Sequence, residues 1–318
     1  MAEVVVRWLD EHGDVRSGDE SALDTTGSAA WRWVDVTHPD DDAIARLAER
    51  FSLHPLAVDH LRHAIKRAKL DIFPDGVFIV WLTPAKRSGD GVVQRELDVF
   101  LRKDVLVTIH EAADPDVDAI VGDAKRAMSL GADFTLHAVI DRSIDSVLPI
   151  VDAIGERMEV IETRMLDNPR QDDLRKLHAV RRQLLVLHRL VSPERDVIRG
   201  LVRERDIVGE EAYRYFLDVE DHLSRVQDSI ETYQDVGASV MDVYLSAQSN
   251  RMNEIMKQLT VVATIFMPLT LISGIYGMNL IRDMWPSPAM SWSFPAVAAF
   301  MAALAVAMAW YFRRKKWW

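Results

Sequence analysis

Acidic and small polar side chains recur every three or four residues between Asp218 and Asn253, a stretch without proline. The series is Asp218, Asp221, Arg225, Asp228, Thr232, Asp235, Ser239, Asp242, Ser246, Ser249 and Asn253. Residues at this spacing share one face of a helix, so the side chains are expected to form one polar stripe. Because a row of carboxylates attracts cations, the stripe indicates a surface for cations.

The same spacing continues beyond Asn253 with side chains of another kind. The continuation is Met256, Thr260, Ala263, Met267, Thr270, Gly274 and Gly277. One face of one predicted helix therefore changes from carboxylates to small and weakly polar groups. This change falls where a long uncharged segment begins, at Gln258.

Two segments are long enough to cross a bilayer. Gln258 to Ile281 and Met284 to Phe312 contain no charged residue, and each exceeds the roughly 20 residues that span about 30 Å of hydrocarbon. The short link at Arg282-Asp283 predicts a hairpin of two membrane helices.

Basic residues flank this hairpin in the sequence, before its first span and after its second. Lys257 precedes the first span, and Arg313 to Lys316 follow the second. By the positive-inside rule, both ends are expected in the cytosol of a cell with the hairpin in its inner membrane. Trp310, Trp317 and Trp318 fit an interfacial belt. The first residues lack a basic segment followed by a long apolar run, so no secretory signal is predicted.

The charge balance favours cationic partners. The formal net charge is −11, and because the residues from 258 onward carry +4, residues 1–257 carry −15. This charge argues against nucleic acid as a partner. The chain has no cysteine, which excludes disulfides and thiolate metal sites.

The first 130 residues are expected to form a small α/β domain. Two helices, Asp40–Phe51 and Pro55–Arg62, are predicted from their helical spacing. The predicted strands, rich in β-branched and aromatic residues, are Val4–Leu9, Trp31–Val36, Lys69–Phe73, Val77–Thr83, Leu97–Arg102 and Val105–His110.

A helical stalk is predicted over residues 131–257, followed by the membrane hairpin over 258–318. Asp133–Asp167 and Arg170–Val191 read as an antiparallel pair, ended by prolines at Asn168-Pro169 and Ser192-Pro193. From Glu210 the next proline is Pro268, so one helix is expected to run from the stalk into the membrane. Its apolar 3,4 repeat predicts a coiled-coil-like seam: Phe216, Val219, Leu223, Val226, Ile230, Tyr233, Gly237, Val240 and Tyr244.

Two spanning helices cannot enclose a water-filled path, because exposed polar backbone is not tolerated in lipid. A transporter built this way must therefore oligomerise. The alternative is a membrane-anchored scaffold whose first span dimerises through small residues such as Gly274 and Gly277. An anchor has no need of the acidic stripe, which argues against that alternative.

The first span ends in Tyr276-Gly277-Met278-Asn279. The run from Asn253 to Asn279 resembles the first transmembrane helix of the CorA family of divalent-cation transporters and its YGMN signature. Further similar stretches are Asp242–Ser246, Tyr215-Phe216 with Asp218, His54-Pro55-Leu56 and Lys315-Lys316-Trp317. The resemblance implies a funnel-shaped homopentamer in which the first span lines the pore, the second surrounds it, and a cytosolic domain senses Mg²⁺.

The resemblance also implies roles for pore residues. Asn279 would form the outer selectivity ring, with Gly277 allowing close backbones and Met278 packing behind. A ring of neutral amides suits Mg²⁺, which is hard and sheds water slowly. Met256, Leu259 and Met267 match the family's apolar constriction, which gates by dewetting. The remaining pore-lining residues would be Asn253, Thr260, Thr270 and Gly274, with Asp235 and Asp242 on the cytosolic stripe.

The family places a regulatory divalent site between subunits. Asp218 aligns with its stalk ligand, and Asp90, the single acid between Lys86 and Arg95, is the candidate on the neighbouring N-terminal domain. One departure concerns the outer loop. It carries only Asp283 as an acid where family members usually have a Met-Pro-Glu stretch.

The implied function is passive, potential-driven entry of Mg²⁺, with Co²⁺ or Ni²⁺ tolerated and no organic cofactor. A divalent ion crossing about 100 mV gains roughly 4.6 kcal/mol, so ATP is not required. The chain has no phosphate loop, Gly-x-Ser-x-Gly or HExxH motif, which argues against an enzyme. A ZntB-like zinc transporter shares the architecture and stays as an alternative, although Met278 favours magnesium.

Overall fold

A seven-stranded mixed sheet organises the first third of the chain, in the part that the structure describes. The computed structural model describes residues 2–25, 29–63, 67–86, 92–167, 169–277, 292–315 and residue 317. The strands are β1 (Glu3–Leu9), β2 (Val15–Gly18), β3 (Arg32–Thr37), β4 (Lys69–Phe73), β5 (Gly76–Lys86), β6 (Val92–Arg102) and β7 (Val105–His110). Their order is β2-β1-β3-β7-β6-β5-β4. Only the β3–β7 pair is parallel among these neighbours.

The predicted helices are all present, together with three short helices in the described part of the chain that were not predicted. The helices are α1 (Ala22–Thr25), α2 (Asp41–Phe51), α3 (Pro55–Arg62), α4 (Pro115–Gly122), α5 (Ala124–Ser129), α6 (Ala132–Asp167), α7 (Gln171–Leu201), α8 (Glu210–Gly277) and α9 (Ser293–Arg314). The α/β part, the long helix and the two apolar helices confirm the predicted fold class. The chain divides into two units, Met1–Val240 and Met241–Trp318, and the domain limits at 130 and 257 stay predictions.

Helices α2 and α3 cover one face of the sheet. The Asp40 side chain caps α2 by accepting from the amide of Ala43 at 2.9 Å, and His54 caps α3 by accepting from the amide of Leu56 at 3.2 Å. Caps of this kind satisfy amides that have no partner within the helix. The α2 residues Leu47 and Phe51 are buried against the sheet in one hydrophobic cluster.

Helices α4, α5 and α6 pack in the same unit, and hydrogen bonds from two buried tryptophans tie α5 and α6 to the strand region. The indole of Trp81, on β5, donates to the Ser143 hydroxyl on α6 at 2.8 Å. The indole of Trp31 donates to the Met128 carbonyl on α5 at 3.1 Å. Buried indoles need such partners, so these bonds fix where the helices dock.

The proline at position 193 does not end its helix, contrary to the sequence prediction. α7 continues through Pro193 to Leu201. An interior proline costs about 3 kcal/mol through its missing donor and its ring. Val197, Ile198 and Leu201 beyond it are buried, and each such side chain contributes about 1.5–3 kcal/mol. Burial of this turn therefore outweighs the proline. The predicted break at Pro169 is confirmed, since α6 ends at Asp167 and α7 begins at Gln171.

Within the first unit, α8 packs closely on α6. A Cβ placed on Gly155 of α6 would lie 2.3 Å from the Tyr233 hydroxyl of α8, a distance that side-chain carbons do not adopt. The apolar seam predicted for α8 is confirmed at Phe216, Val219, Leu223, Val226 and Ile230, which are all buried.

The second unit holds the end of α8 and the helix α9. Both contain windows apolar and long enough to cross a membrane, and only 6% of each window is buried within the chain. Phe266, Leu271, Phe294 and Phe300 are largely exposed. Such apolar surface is stable against lipid or other protein rather than water.

Candidate functional site

The acidic stripe of α8 lies opposite its buried seam. All of its side chains from Asp218 to Asn253 are exposed in the single chain. Asp235 and Asp242 form no ion pair with any residue in the described part of the chain. Apart from Arg225, the charged side chains of the stripe are carboxylates, and unpaired carboxylates such as Asp235 and Asp242 carry a negative potential that is available to mobile cations.

The continuation of the stripe is exposed as well. Asn253, Met256, Leu259, Thr260, Met267, Thr270 and Gly274 are all open on the helix surface. The hydroxyls of Thr260 and Thr270 donate to the carbonyls of Met256 and Phe266, each at 2.8 Å. Their protons are thus committed to the helix, and their oxygen lone pairs remain able to accept from water.

Two shallow grooves run along this part of α8. One, of about 610 Å³, is lined by Met267, Thr270 and Gly274 among others. The other, of about 520 Å³, is lined by Leu259, Thr260 and Met267 together with Met308 of α9. The structure therefore brings most of the predicted pore-lining residues onto adjoining surfaces.

The predicted selectivity signature is described only in part. Gly277 is the last residue of α8, and no atom of the described residues lies within 4 Å of a Cβ placed there or at Gly274. Both glycines thus leave room for the backbone of another chain. Met278 and Asn279 lie outside the described residues, as does Asp90, and the roles given to them stay predictions.

Asp218 lies in a small cluster of acids and histidines that the sequence analysis missed. The His222 imidazole has Nε2 3.6 Å from Asp218 Oδ2 and Nδ1 3.9 Å from Asp141 Oδ1. A cleft of about 430 Å³ beside them is lined by Asp141, Asp145, His137 and Asp218. We refer to these five side chains as the Asp218 cluster.

The carboxylates of the Asp218 cluster lie close enough to repel one another. Burial raises the pKa of Asp141, and although His137 opposes the rise, Asp145 and Asp218 add to it. Burial also lowers the pKa of His137, which reduces its capacity to act as a cation. The cluster itself holds three carboxylates and two histidines, and Arg126 and Arg142 also line the cleft beside it.

The single chain does not complete a metal site at this cluster. Among the residues that the structure describes, no group of three or more acid, histidine or cysteine side chains is arranged to hold a metal ion. Asp141 and Asp145 come from α6, far from Asp218 in sequence, so periodicity along α8 could not find them. Their only local signal is the spacing of four residues on one helical face.

Comparison with known proteins gives concordant matches over nearly the whole chain. The family described as CorA-like Mg²⁺ transporter protein matches residues 28–314. The cobalt/magnesium transport protein CorA of Thermotoga maritima is 32% identical, over 99% of this chain and 92% of its own length. The zinc transport protein ZntB of Yersinia enterocolitica is 23% identical, over 97% of this chain and 94% of its own.

The fold is also similar to a solved structure. The CorA magnesium transporter from Methanocaldococcus jannaschii superposes with a TM-score of 0.84 at 23% identity, covering 99% of each chain. This likeness extends through the α/β part, the long helix and the second apolar helix.

Proposed function

The chain belongs to the family of CorA-like Mg²⁺ transporters, and from that premise we propose that it is a passive channel for Mg²⁺ entry, gated by Mg²⁺ in the cytosol. Family membership makes it a divalent-cation transporter rather than an enzyme. The observation that carries the finer proposal is the face of α8, on which exposed carboxylates lead in register to exposed uncharged groups. A row of this kind can concentrate hydrated cations without binding them tightly along the path.

Assembly is part of this proposal. The exposed grooves along α8 and the open space at Gly274 and Gly277 suit neighbouring copies of the same helix. By the family resemblance the oligomer is a homopentamer with the first span around the pore. The basic residues at Lys257 and at Arg313 to Lys316 favour an inner-membrane orientation with both termini in the cytoplasm.

The proposed filter and gate keep the residues predicted from the sequence. Gly277, Met278 and Asn279 form the filter, with the amide of Asn279 contacting the ion's water shell. Met256, Leu259 and Met267 form the gate, since their exposed apolar side chains would meet around the pore and exclude water. Co²⁺ and Ni²⁺ are expected to pass the same path.

The Asp218 cluster is our candidate for the regulatory site. Its surplus of carboxylates, and the lack of a complete metal site among the described residues of one chain, suit an ion that a second subunit helps to hold. Asp90 stays a predicted partner. Bound Mg²⁺ would relieve the repulsion and favour the closed assembly, so its loss would favour opening.

Zinc transport is the second candidate, because a zinc transporter aligns over nearly the whole chain at 23% identity. The methionine at position 278 favours magnesium. Purified protein in liposomes separates the two functions when Mg²⁺ and Zn²⁺ uptake are each measured with and without a membrane potential and a pH gradient. We expect potential-driven Mg²⁺ uptake that is independent of the pH gradient.

Asn279→Ala is the variant that tests the filter in the same assay. It should abolish Mg²⁺ uptake or its selectivity while assembly persists, because a methyl group neither donates nor accepts at the ion's water shell. Asn250→Ala, an exposed amide outside the stripe, is the matched control and should transport normally. Normal selective uptake by Asn279→Ala would contradict the filter assignment, and absence of any divalent flux in the unaltered protein would contradict the channel.

A further inference from the structure

A second acidic cleft lies in the α/β part of the chain, on the sheet face that carries α2 and α3. Its volume is about 760 Å³, and its lining comes mainly from β6, the segment after β7, the start of α2 and the end of α3. It shares no lining residue with the cleft at Asp218. Among the described residues, six carboxylates and two arginines line it. The proposed channel function makes no use of this cleft.

One carboxylate of this cleft is buried, and one of its oxygens lacks a hydrogen-bond partner in the described part of the chain. Asp98, on β6, pairs in register with Val80 of β5 and Ile109 of β7. The residue is 9% exposed, and its Oδ1 has no hydrogen-bond partner among the residues that the structure describes. An uncompensated buried carboxylate is costly, because it loses water without gaining a donor or a cation.

The charges around Asp98 increase this cost rather than reduce it. Burial raises the pKa of Asp98 well above its usual range, and the carboxylates of Glu96 and Glu111 raise it further. The two arginines of the lining pair with other carboxylates rather than with Asp98. Arg95 lies 2.7 Å from Asp116 and 3.2 Å from Asp114, and Arg62 lies 3.6 Å from Asp41.

We propose that this cleft binds a hydrated divalent cation, with Asp98 as its innermost contact and Glu111 at its mouth. No three side chains of the described residues form a ready cage, so the ion would keep much of its water. Mg²⁺ behaves in this way, binding through one or two carboxylates and retaining several waters. Its bound waters would supply the donors that Asp98 Oδ1 lacks, and the cleft is roomy enough for them, since one water occupies about 30 Å³ of liquid.

The competing explanation is that Asp98 is protonated. A neutral Asp98 would also avoid the cost of burial, and the cleft would then bind no ion at neutral pH. The two explanations differ in what Mg²⁺ does to the α/β part. A cation site makes that part more stable as Mg²⁺ rises, whereas a protonated acid makes it indifferent to Mg²⁺ at constant ionic strength.

The test uses the full-length protein in detergent micelles at pH 7.5 with Fe²⁺ in place of Mg²⁺. Ascorbate and hydrogen peroxide then generate hydroxyl radicals at bound Fe²⁺, and mass spectrometry locates the backbone cuts. We expect cuts in β6 and just after β7, suppressed by excess Mg²⁺. Asp98→Asn should reduce these cuts about tenfold or more, the loss expected when a supporting group of a metal site is removed.

Two controls separate this site from the rest of the molecule. Asp118→Asn changes an exposed acid of α4 outside the cleft and should leave the cuts unchanged. Asp218→Asn should also leave them unchanged, which makes the outcome independent of the proposed regulatory site. Glu111→Gln should weaken cutting less than Asp98→Asn does, because Glu111 is exposed.

Thermal unfolding shows whether a loss of cutting in Asp98→Asn comes from misfolding of the variant. Asp98→Asn removes a buried charge and keeps the shape, so it should fold and be at least as stable as the unaltered protein without divalent ions. Its unfolding midpoint should rise less with Mg²⁺ than that of the unaltered protein. Equal cutting in both proteins, no cuts near β6, or an equal Mg²⁺ response would overturn the proposal.

Discussion

Asp35 and His110 form a buried ion pair between neighbouring strands of the sheet. His110 Nε2 lies 3.1 Å from Asp35 Oδ1, and the Thr108 hydroxyl donates to the same oxygen at 2.6 Å. Burial alone would raise the pKa of Asp35, but its bonds with His110 and Thr108 lower it below its usual value. Burial likewise opposes the charge on His110, and Asp35 nevertheless raises the pKa of the imidazole.

The pair gives the α/β part a defined pH dependence. Because the pKa of His110 is raised, its stabilisation is complete below the unfolded value of about 6.5 and is lost as pH rises through the folded value. Because the pKa of Asp35 is lowered, its stabilisation is present above about 3.9 and is lost as pH falls through the folded value. The pair therefore stabilises the fold most between these two limits.

His110→Gln should lower the free energy of unfolding by about 2 kcal/mol at pH 6, because Asp35 loses a charged hydrogen-bond partner and keeps, among the described residues, only Arg7 at 3.4 Å and the Thr108 hydroxyl. The loss should shrink at pH 8.5, where the unaltered His110 is less charged. Thermal unfolding of the full-length protein across this pH range measures both effects. His63→Gln, which breaks an exposed pair with Asp59, is the control and should change little. A loss that is the same at both pH values would contradict the ion pair.

Neighbouring residues of α8 lie on different faces of the helix and differ in burial. Val240 is buried within its own subunit, whereas Asp235 and Asp242 are exposed. If the acidic stripe faces the other subunits, Asp235→Cys and Asp242→Cys should form disulfide-linked oligomers on oxidation. The chain has no native cysteine to interfere, and non-reducing electrophoresis reads the result.

Val240→Cys is the matched control for these cross-links, since a side chain on the buried seam should not reach a neighbour. Efficient cross-linking at 240 together with failure at 235 and 242 would show that the opposite face of α8 lines the axis. Such a result would leave the family assignment intact and displace the acidic stripe from the pore.

Periodicity predicted the elements whose burial follows a regular repeat, and it failed where other forces decided. The α8 helix and most of the predicted strands follow apolar spacing, whereas β6 begins at Val92, five residues before the predicted strand Leu97–Arg102. Strand β2 (Val15–Gly18) was missed because its pairing with β1, rather than any apolar alternation, makes it a strand. The break predicted at Pro193 was wrong because packing of the following turn outweighs the proline.

The candidate site could be predicted only along single elements. Spacing placed Asp218 on the acidic stripe and the family resemblance gave it a regulatory role, but Asp141 and Asp145 approach it through the packing of α6 and α8, a nonlocal contact. Asp98 was missed for the same reason: a single acid in an apolar strand says little until its neighbours Val80 and Ile109 are known. Whether a carboxylate lacks a cationic partner depends on residues that are far apart in the sequence. A single helix or strand therefore does not reveal it.

At the scale of the whole molecule, regulation by Mg²⁺ should be visible as resistance to protease. In the proposed assembly, Asp218 carboxylates from neighbouring subunits would repel unless a divalent ion lay between them. The unaltered protein should therefore become more resistant as Mg²⁺ rises. Asp218→Asn and Asp218→Lys should respond less, because the first removes the charge and the second substitutes a tethered cation. Limited proteolysis over a Mg²⁺ series, followed by electrophoresis, measures this response.

Asp228→Asn is the control for the protease assay, since Asp228 lies on the same exposed stripe outside the Asp218 cluster. It should keep the response of the unaltered protein. If both Asp218 variants respond normally as well, Asp218 is not part of the sensor. A reduced response in Asp218→Asn with normal cutting at β6 would separate the two cation sites within one molecule.

The unbroken helix α8 also limits how this protein can change over evolutionary time. Its 68 residues form one continuous helix. Each inserted or deleted residue therefore rotates the part of the helix beyond it by about 100°. A single-residue insertion after Asp242 would carry the Met256–Gly274 face away from the carboxylates before it. Seven residues would restore the alignment to within about 20°. Eleven residues restore the alignment equally well, so length variants of this segment are expected to survive mainly in steps of about seven, eleven or eighteen residues, whereas the loops of the α/β part carry no such phase requirement.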